Sequence, residues 1–371
     1  MFRKGTILFC TIIQLFIVNC IQAQADSILY SFFIAGHTYG KPGVNNIGLH
    51  PPFKAKFPYI KSRPEIKFGF FLGDIVPPGW DSLDLYQVES DIDSLGLPIY
   101  FAVGNHDMEN RELFESRYGP TYYHFKYNND LFIVLDPNID GWNISGDQML
   151  FLLNVINSNY QYVDNIFVLF HQILWRENDN IYSVVSPNSF AGRTGPINFW
   201  PEIEPLFHTL PNKVVFCAGD LGAAYWSSDF CYDSYDNITF IGSGMGESIG
   251  DNFVILNITI NKTLSYELIC LNDTVLKCFG ELESYKITNI ENNNLIKIFP
   301  IPAKEYLHIV NNSKKTYSFQ LYNYNGKLII GGQLEINEEI ILDIENFVSG
   351  IYIMNFGNDG RQQYSKRIII Q

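Results

Sequence analysis

Five short apolar runs, each closed by a turn that carries a polar side chain, constrain this chain more than any other feature. They are Phe32-Phe33-Ile34 before Ala35-Gly36-His37, Phe68 to Leu72 before Gly73-Asp74, Ile99 to Val103 before Gly104-Asn105-His106-Asp107, Ile166 to Phe170 before His171, and Val214 to Ala218 before Gly219-Asp220-Leu221-Gly222. All are apolar without clean alternation, as short strands buried on both faces are. In an α/β sheet the carboxyl ends of such strands lie side by side, so residues tens of positions apart can converge on one pocket. The predicted class is α/β, with one polar side chain delivered to a shared edge by each strand end.

Taken in order, these turns resemble the calcineurin-like metallophosphoesterase family, whose pattern runs Asp-x-His, Gly-Asp, Gly-Asn-His-Asp/Glu, His, Gly-His-x-His. The resemblance extends from Leu29 to Leu271, and its most specific part is Gly104-Asn105-His106-Asp107 preceded by Gly73-Asp74. Tyr118 to Tyr123 followed by Leu131 to Asp136 resembles the hairpin that comes after the Asn-His-Asp turn in that family. It implies an αββα sandwich with two metals about one bridging carboxylate. Carried over by position, the bridge is Asp74, and Asn105, His171 and Asp220 complete one metal's ligands, with Asp220 standing where His is usual. Carboxylate, amide oxygen and imidazole together suit a divalent Mn, Zn or Fe. The second metal would draw on Ala35, His37, Asp74 and Gly222, and two of these carry no donor atom. One cation per chain is therefore expected, with His37 either a weak ligand or a donor facing substrate. Tyr39, Asn45, Asn46 and His50, in the polar insertion after His37, are the candidates to replace the missing pair.

The resemblance implies hydrolysis of a small phosphate ester by metal-activated water. His106 is the expected proton donor to the leaving group, and Asp107 the expected carboxylate that orients it. Arg193 could pair with phosphate, although a solvated loop arginine is the commoner case. His124, His208 and His308 fit no motif and read as structural. The competing expectation is a catalytically inactive metal- or phosphate-binding surface protein of the same fold.

Met1-Phe2-Arg3-Lys4, an uncharged apolar stretch through Val18, and Ala23-Gln24-Ala25 form the three parts of a secretory signal, expected to span residues 1–25. No later segment is apolar enough for long enough to span a bilayer. Four cysteines remain after processing, Cys217, Cys231, Cys270 and Cys278. They allow three pairings, of which the local pair Cys270 with Cys278 is preferred, and Cys217 reads equally as a small buried hydrophobe. Residues 26–285 are expected to form the metallophosphoesterase domain.

Beyond the polar break at Ile290 to Asn294, short alternating strands predict a small all-β sandwich over 286–371. Ile296 to Ala303, Tyr324-Asn325-Gly326-Lys327, Gly350-Ile351-Tyr352 and the closing Lys366 to Ile370 resemble the type IX secretion C-terminal sorting domain. The expected partner is thus the type IX outer-membrane machinery, and the expected destination is the medium or the cell surface. The chain carries a net charge of −14, which loss of Arg3 and Lys4 takes to −16. Residues 291–371 hold eight basic and eight acidic residues, so the excess acidity sits on the preceding part. A surface of that sign disfavours nucleic acid as a partner.

Overall fold

The five apolar runs fold as strands, each ending where its polar turn begins. The structure is a computed structural model that describes residues 27–44, 47–272, 296–300, 302–311, 315–323, 327–358 and 361–370. In chain order the first strands are β1 (Ile28–Ala35), β2 (Ile66–Leu72), β3 (Ile99–Ala102), β4 (Tyr123–Tyr127), β5 (Asp130–Val134), β6 (Asn165–Leu169), β7 (Lys213–Ala218), β8 (Phe230–Tyr235), β9 (Ile238–Ser243), β10 (Asn252–Thr259) and β11 (Leu264–Cys270). They make two mixed sheets, ordered β11-β10-β1-β2-β3 and β4-β5-β6-β7-β9-β8. Within the first, β1, β2 and β3 run parallel; within the second, β5, β6, β7 and β9 do so. The hairpin expected after the Asn-His-Asp turn is β4 and β5.

The sheets face one another across an aromatic layer in which Phe32 and Phe70 meet Phe132, Phe167 and Val215. Phe32 lies edge-on to Phe167 at 4.9 Å, and Phe132 stacks on Phe167 at the same distance. Such ring pairs add about 0.5–1.5 kcal/mol each beyond the area they bury.

Helices cover the outer faces. The helix Ser82–Leu95 starts in a capping box between Asp81 and Asp84, ends at left-handed Gly96, and buries Leu85, Val88 and Leu95 at helical spacing against the first sheet. The helix Gly146–Asn159 buries Leu152, Val155 and Ile156 against the second. Four layers in the order helix, sheet, sheet, helix are the αββα sandwich that the sequence predicts.

The last seven strands are β12 (Ile296–Phe299), β13 (Tyr306–Asn311), β14 (Tyr317–Asn323), β15 (Leu328–Leu334), β16 (Glu339–Asp343), β17 (Gly350–Asn358) and β18 (Arg361–Ile370). They form two antiparallel sheets, β12-β13-β16 and β15-β14-β17-β18. Leu307, Ile309, Phe319, Leu321, Met354 and Phe356 form their common core, so this part is the expected small β-sandwich.

The signal segment 1–25, Asn45, Asn46, Cys278 and the boundary expected at 285/286 all lie outside the described residues. Among the described cysteines, Cys217 and Cys231 are free and buried. Cys270 is disulfide-bonded, and its partner lies outside the described residues. No helix among the described residues is long and apolar enough to cross a membrane.

Candidate metal centre

Parallel strands within each sheet align their carboxyl ends, and the two sheets bring those ends to one edge. From the first sheet come His37 after β1, Asp74 after β2, and Asn105 and His106 after β3; from the second come His171 after β6 and Asp220 after β7. The sheets are tied together at this edge, because His171 Nδ1 donates to the Leu72 carbonyl at 2.7 Å. The Gly219 and Asp220 amides then donate to the His171 carbonyl at 2.9 and 3.0 Å. His37 and Asp74 both sit in the left-handed region, with φ of 52° and 48°. A side chain forced there costs of order 1–3 kcal/mol, a strain that clusters at functional sites. Gly104 permits a close approach, since a Cβ there would lie 2.1 Å from Asp74 Oδ1.

Asp74, His171 and Asp220 each offer a ligand atom, all within 4.8 Å of one another, and all three are buried. His171 Nε2 lies 3.3 Å from Asp74 Oδ2 and 3.7 Å from Asp220 Oδ1. His37 Nε2 and His106 Nε2 each lie 3.8 Å from the same Asp74 oxygen. Every one of these imidazoles is anchored through Nδ1: His171 on Leu72 O, His37 on Met245 O at 3.1 Å, and His106 near Glu109 Oε1 at 3.3 Å. Anchoring Nδ1 on an acceptor leaves Nε2 as the lone-pair nitrogen of the neutral ring, the arrangement metal-ligating histidines use. Asn105 shares the turn with His106 and is half-buried.

The donor set fits a cation on the evidence of its own unsatisfied atoms. Both oxygens of Asp220 and Nε2 of His171 are buried without a hydrogen-bond partner. Leaving a carboxylate bare in a dry pocket costs several kcal/mol, so such a group takes up either a proton or a cation. Burial pushes the Asp220 carboxyl up to about 8, His171 pulls it back, and Asp74 raises it further. For His171, burial opposes protonation, but Asp74 and Asp220 overcome it and raise the imidazole to about 10. Burial would also raise Asp74, yet His171, His106 and His37 hold it well below the usual carboxylate range. His37 is lowered to about 4, chiefly by burial.

A stability prediction follows from the signs. Asp220 and His171 both bind protons more tightly folded than unfolded, so the stability they contribute falls as pH rises, through the window from about 6.5 to 8 where both titrate. A cation displaces those protons, and its affinity rises with pH. Without metal, the melting temperature should drop between pH 6.5 and 8, and the gain on adding Mn or Zn should be larger at pH 8 than at pH 6 in scanning calorimetry. A gain that shrinks with pH would contradict this.

Three expectations change. Asp107 does not orient His106. Its oxygens accept from the Gly104 amide at 2.8 Å and from the Ile75 and Val76 amides at 2.8 and 3.3 Å, so it staples the Asn-His-Asp turn to the Asp74 loop. The carboxylate at the His106 ring is Glu109, one turn onward along the short helix Asp107–Asn110, and its spacing of three residues is a legible signal. Arg193 is half-buried and not free for phosphate, because it pairs with Glu177 at 2.5 Å and lies over the Trp142 ring. Of the residues proposed to replace the lost ligands, His50 faces Asp251 at 3.5 Å, whereas the Tyr39 ring packs 4.3 Å from that of His37.

The position where the family carries its final histidine has no room for a side chain. A Cβ on Gly222 would lie 2.5 Å from Met245 N and 2.6 Å from Gly244 C, and φ there is +79°. Gly222→His should therefore lose about 1–3 kcal/mol of stability without adding a second cation. Melting curves and metal analysis of that variant check it; a stable two-metal variant would contradict it.

Residues 16–198 match the calcineurin-like phosphoesterase family, and residues 297–371 match the secretion system C-terminal sorting domain. Asp220 lies beyond the first match, and the geometry alone brings it into the cluster. No curated protein matches the chain. Among solved structures, a putative 5'-nucleotidase from Staphylococcus aureus in complex with alpha-ketoglutarate is similar at 13% identity and a TM-score of 0.42, over 68% of this chain and 56% of that one. Dimeric latent PorU from Porphyromonas gingivalis is similar at 14% identity and a TM-score of 0.19, over 36% of this chain and 13% of that one. The family matches, the αββα layers and the clustered motif residues agree: residues 16–198 carry the calcineurin-like phosphoesterase match, and the chain ends in a type IX sorting domain that directs it out of the cell, to the medium or the surface.

Proposed function

We propose that the protein hydrolyses a small phosphate ester at a centre holding one divalent cation, Mn, Zn or Fe, gripped by Asp74, Asn105, His171 and Asp220. Residues 26–285 would form the catalytic part and residues 286–371 the export address. The observation that carries this reading is the cluster of three buried donors within 4.8 Å, two of which have ligand atoms with no other partner. When bound, the cation would supply a nucleophilic water at neutral pH and neutralise charge on the phosphoryl oxygens.

The chain's own residues divide the remaining tasks. Asp74 stays ionised and holds the His106 backbone amide through Oδ1 at 3.1 Å, which ties the proton donor to the cation site. The His106 side chain is 24% exposed, whereas those of His37 and His171 are 2% and 0% exposed. His106 is therefore the imidazole able to meet a leaving-group oxygen and give it a proton. His37, fixed on Met245 O, supports Asp74 from the other side.

The test is turnover of a panel of phosphomonoesters and phosphodiesters by chelated and by Mn- or Zn-loaded protein. Cation-dependent hydrolysis is expected. A loaded protein inert toward the whole panel would instead support the inactive binding protein, the reading that the missing donors at Ala35 and Gly222 favour.

A further inference from the structure

The half of the pocket without metal donors holds an aromatic residue with an unused hydrogen-bond donor. Tyr39 is 2% exposed, and its ring lies 4.3 Å from that of His37 and 5.8 Å, edge-on, from that of His106. It is wedged between the histidine of the first motif and the proposed proton donor. Its backbone fixes it there, with the Tyr39 amide donating to the Asp74 carbonyl at 3.3 Å and the Gly40 amide to the His37 carbonyl at 3.0 Å. The phenolic O–H makes no hydrogen bond to a described residue and is not among the buried atoms left without a partner, so it opens onto the pocket. A donor fixed by a buried ring and open to the pocket is placed to meet an acceptor that enters the site.

The chemistry of the pocket says what that acceptor is. Asp74 and Asp220 would balance the charge of one cation, and the basic side chains of the loops after β1 and β6 are already paired, Lys41 with Glu247 and Arg193 with Glu177. A phosphate ester brought against one cation keeps oxygens that the absent second metal would have neutralised. A fixed neutral donor meets that need without a second charge and without reorganising during the reaction.

We infer that the Tyr39 hydroxyl is a catalytic donor that binds a phosphoryl oxygen of the substrate in the half of the pocket that Ala35 and Gly222 leave without ligands. This rests on the phosphoesterase reading, and the test separates the two. Tyr39→Phe keeps the ring and its contacts and removes only the donor. Metal content, inorganic phosphate binding by calorimetry on the Mn-loaded protein, and kcat on a phosphate ester are measured for both forms.

The variant should hold the wild-type amount of cation, bind phosphate about 10- to 100-fold more weakly, as loss of a hydrogen bond to a charged group predicts, and lose kcat by a similar factor. Wild-type phosphate affinity in the variant would overturn the role of Tyr39 while leaving the phosphoesterase reading intact. Phosphate binding that depends on Tyr39 in a protein without turnover would sink the phosphoesterase reading and keep the tyrosine as an anion donor. Absence of phosphate binding in the wild type would overturn the inference outright. Should Tyr39→Phe fail to fold, Tyr39→Trp, which keeps an aromatic body but moves the donor, is expected to show the same loss.

Discussion

Replacing Asp74 by Asn is expected to release the cation and end turnover together. One oxygen of Asp74 faces three imidazoles, at 3.3 Å from His171 and 3.8 Å from both His37 and His106, while the other accepts the His106 amide. Asparagine keeps the shape and can still accept that amide, but it removes the charge on which every neighbour converges. Even outer partners of metal ligands are worth about 10- to 100-fold, so loss of the central ligand should cost more than about a hundredfold in kcat/KM. In the metal-free state the variant leaves His171 without its nearest carboxylate, with Asp220 at 3.7 Å. Removing one partner of a buried pair costs about 3–5 kcal/mol, which sets the upper range for the fall in stability. Metal content after gel filtration, turnover and a melting curve measure all three. A variant that retains cation and rate would show that the site is elsewhere.

His106→Ala should do the opposite to binding and nearly as much to rate. His106 lies outside the three-donor cluster, so cation content should stay at the wild-type level. Loss of a positioned proton donor costs about 10²–10⁴ in rate, and more where the leaving group is a poor one. The variant should therefore be far more impaired on an alkyl phosphate than on a nitrophenyl phosphate, whose leaving group needs little help. Equal loss on both would remove the proton-donor role and leave His106 a positioning residue for Asp74.

Much of this was legible because strand ends are legible. Phe68 to Leu72 and Val214 to Ala218 are too apolar to be anything but buried, and the glycines that follow them mark where the chain turns out of the sheet. Motif order then predicted that Asp74, His171 and Asp220 would meet, although 146 positions separate the first from the last. What could not be read is where a side chain spends its hydrogen bonds. Asp107 adjoins His106 in sequence, yet neighbouring residues on a helical turn diverge, and the residue three further on, Glu109, is the one that meets the ring. Arg193 finds Glu177 through a loop whose path no local pattern encodes. The absence of donors at Ala35 and Gly222 was plain, but the backbone of Gly244 and Met245 crowding any side chain at Gly222 is a product of packing.

Elemental analysis of the purified mature protein, after loading with Mn or Zn and removal of free metal, counts the cations each chain holds. One equivalent per chain is predicted, falling to none in Asp74→Asn. Two tightly held equivalents per chain, or none in the wild type, would rule out a one-cation centre.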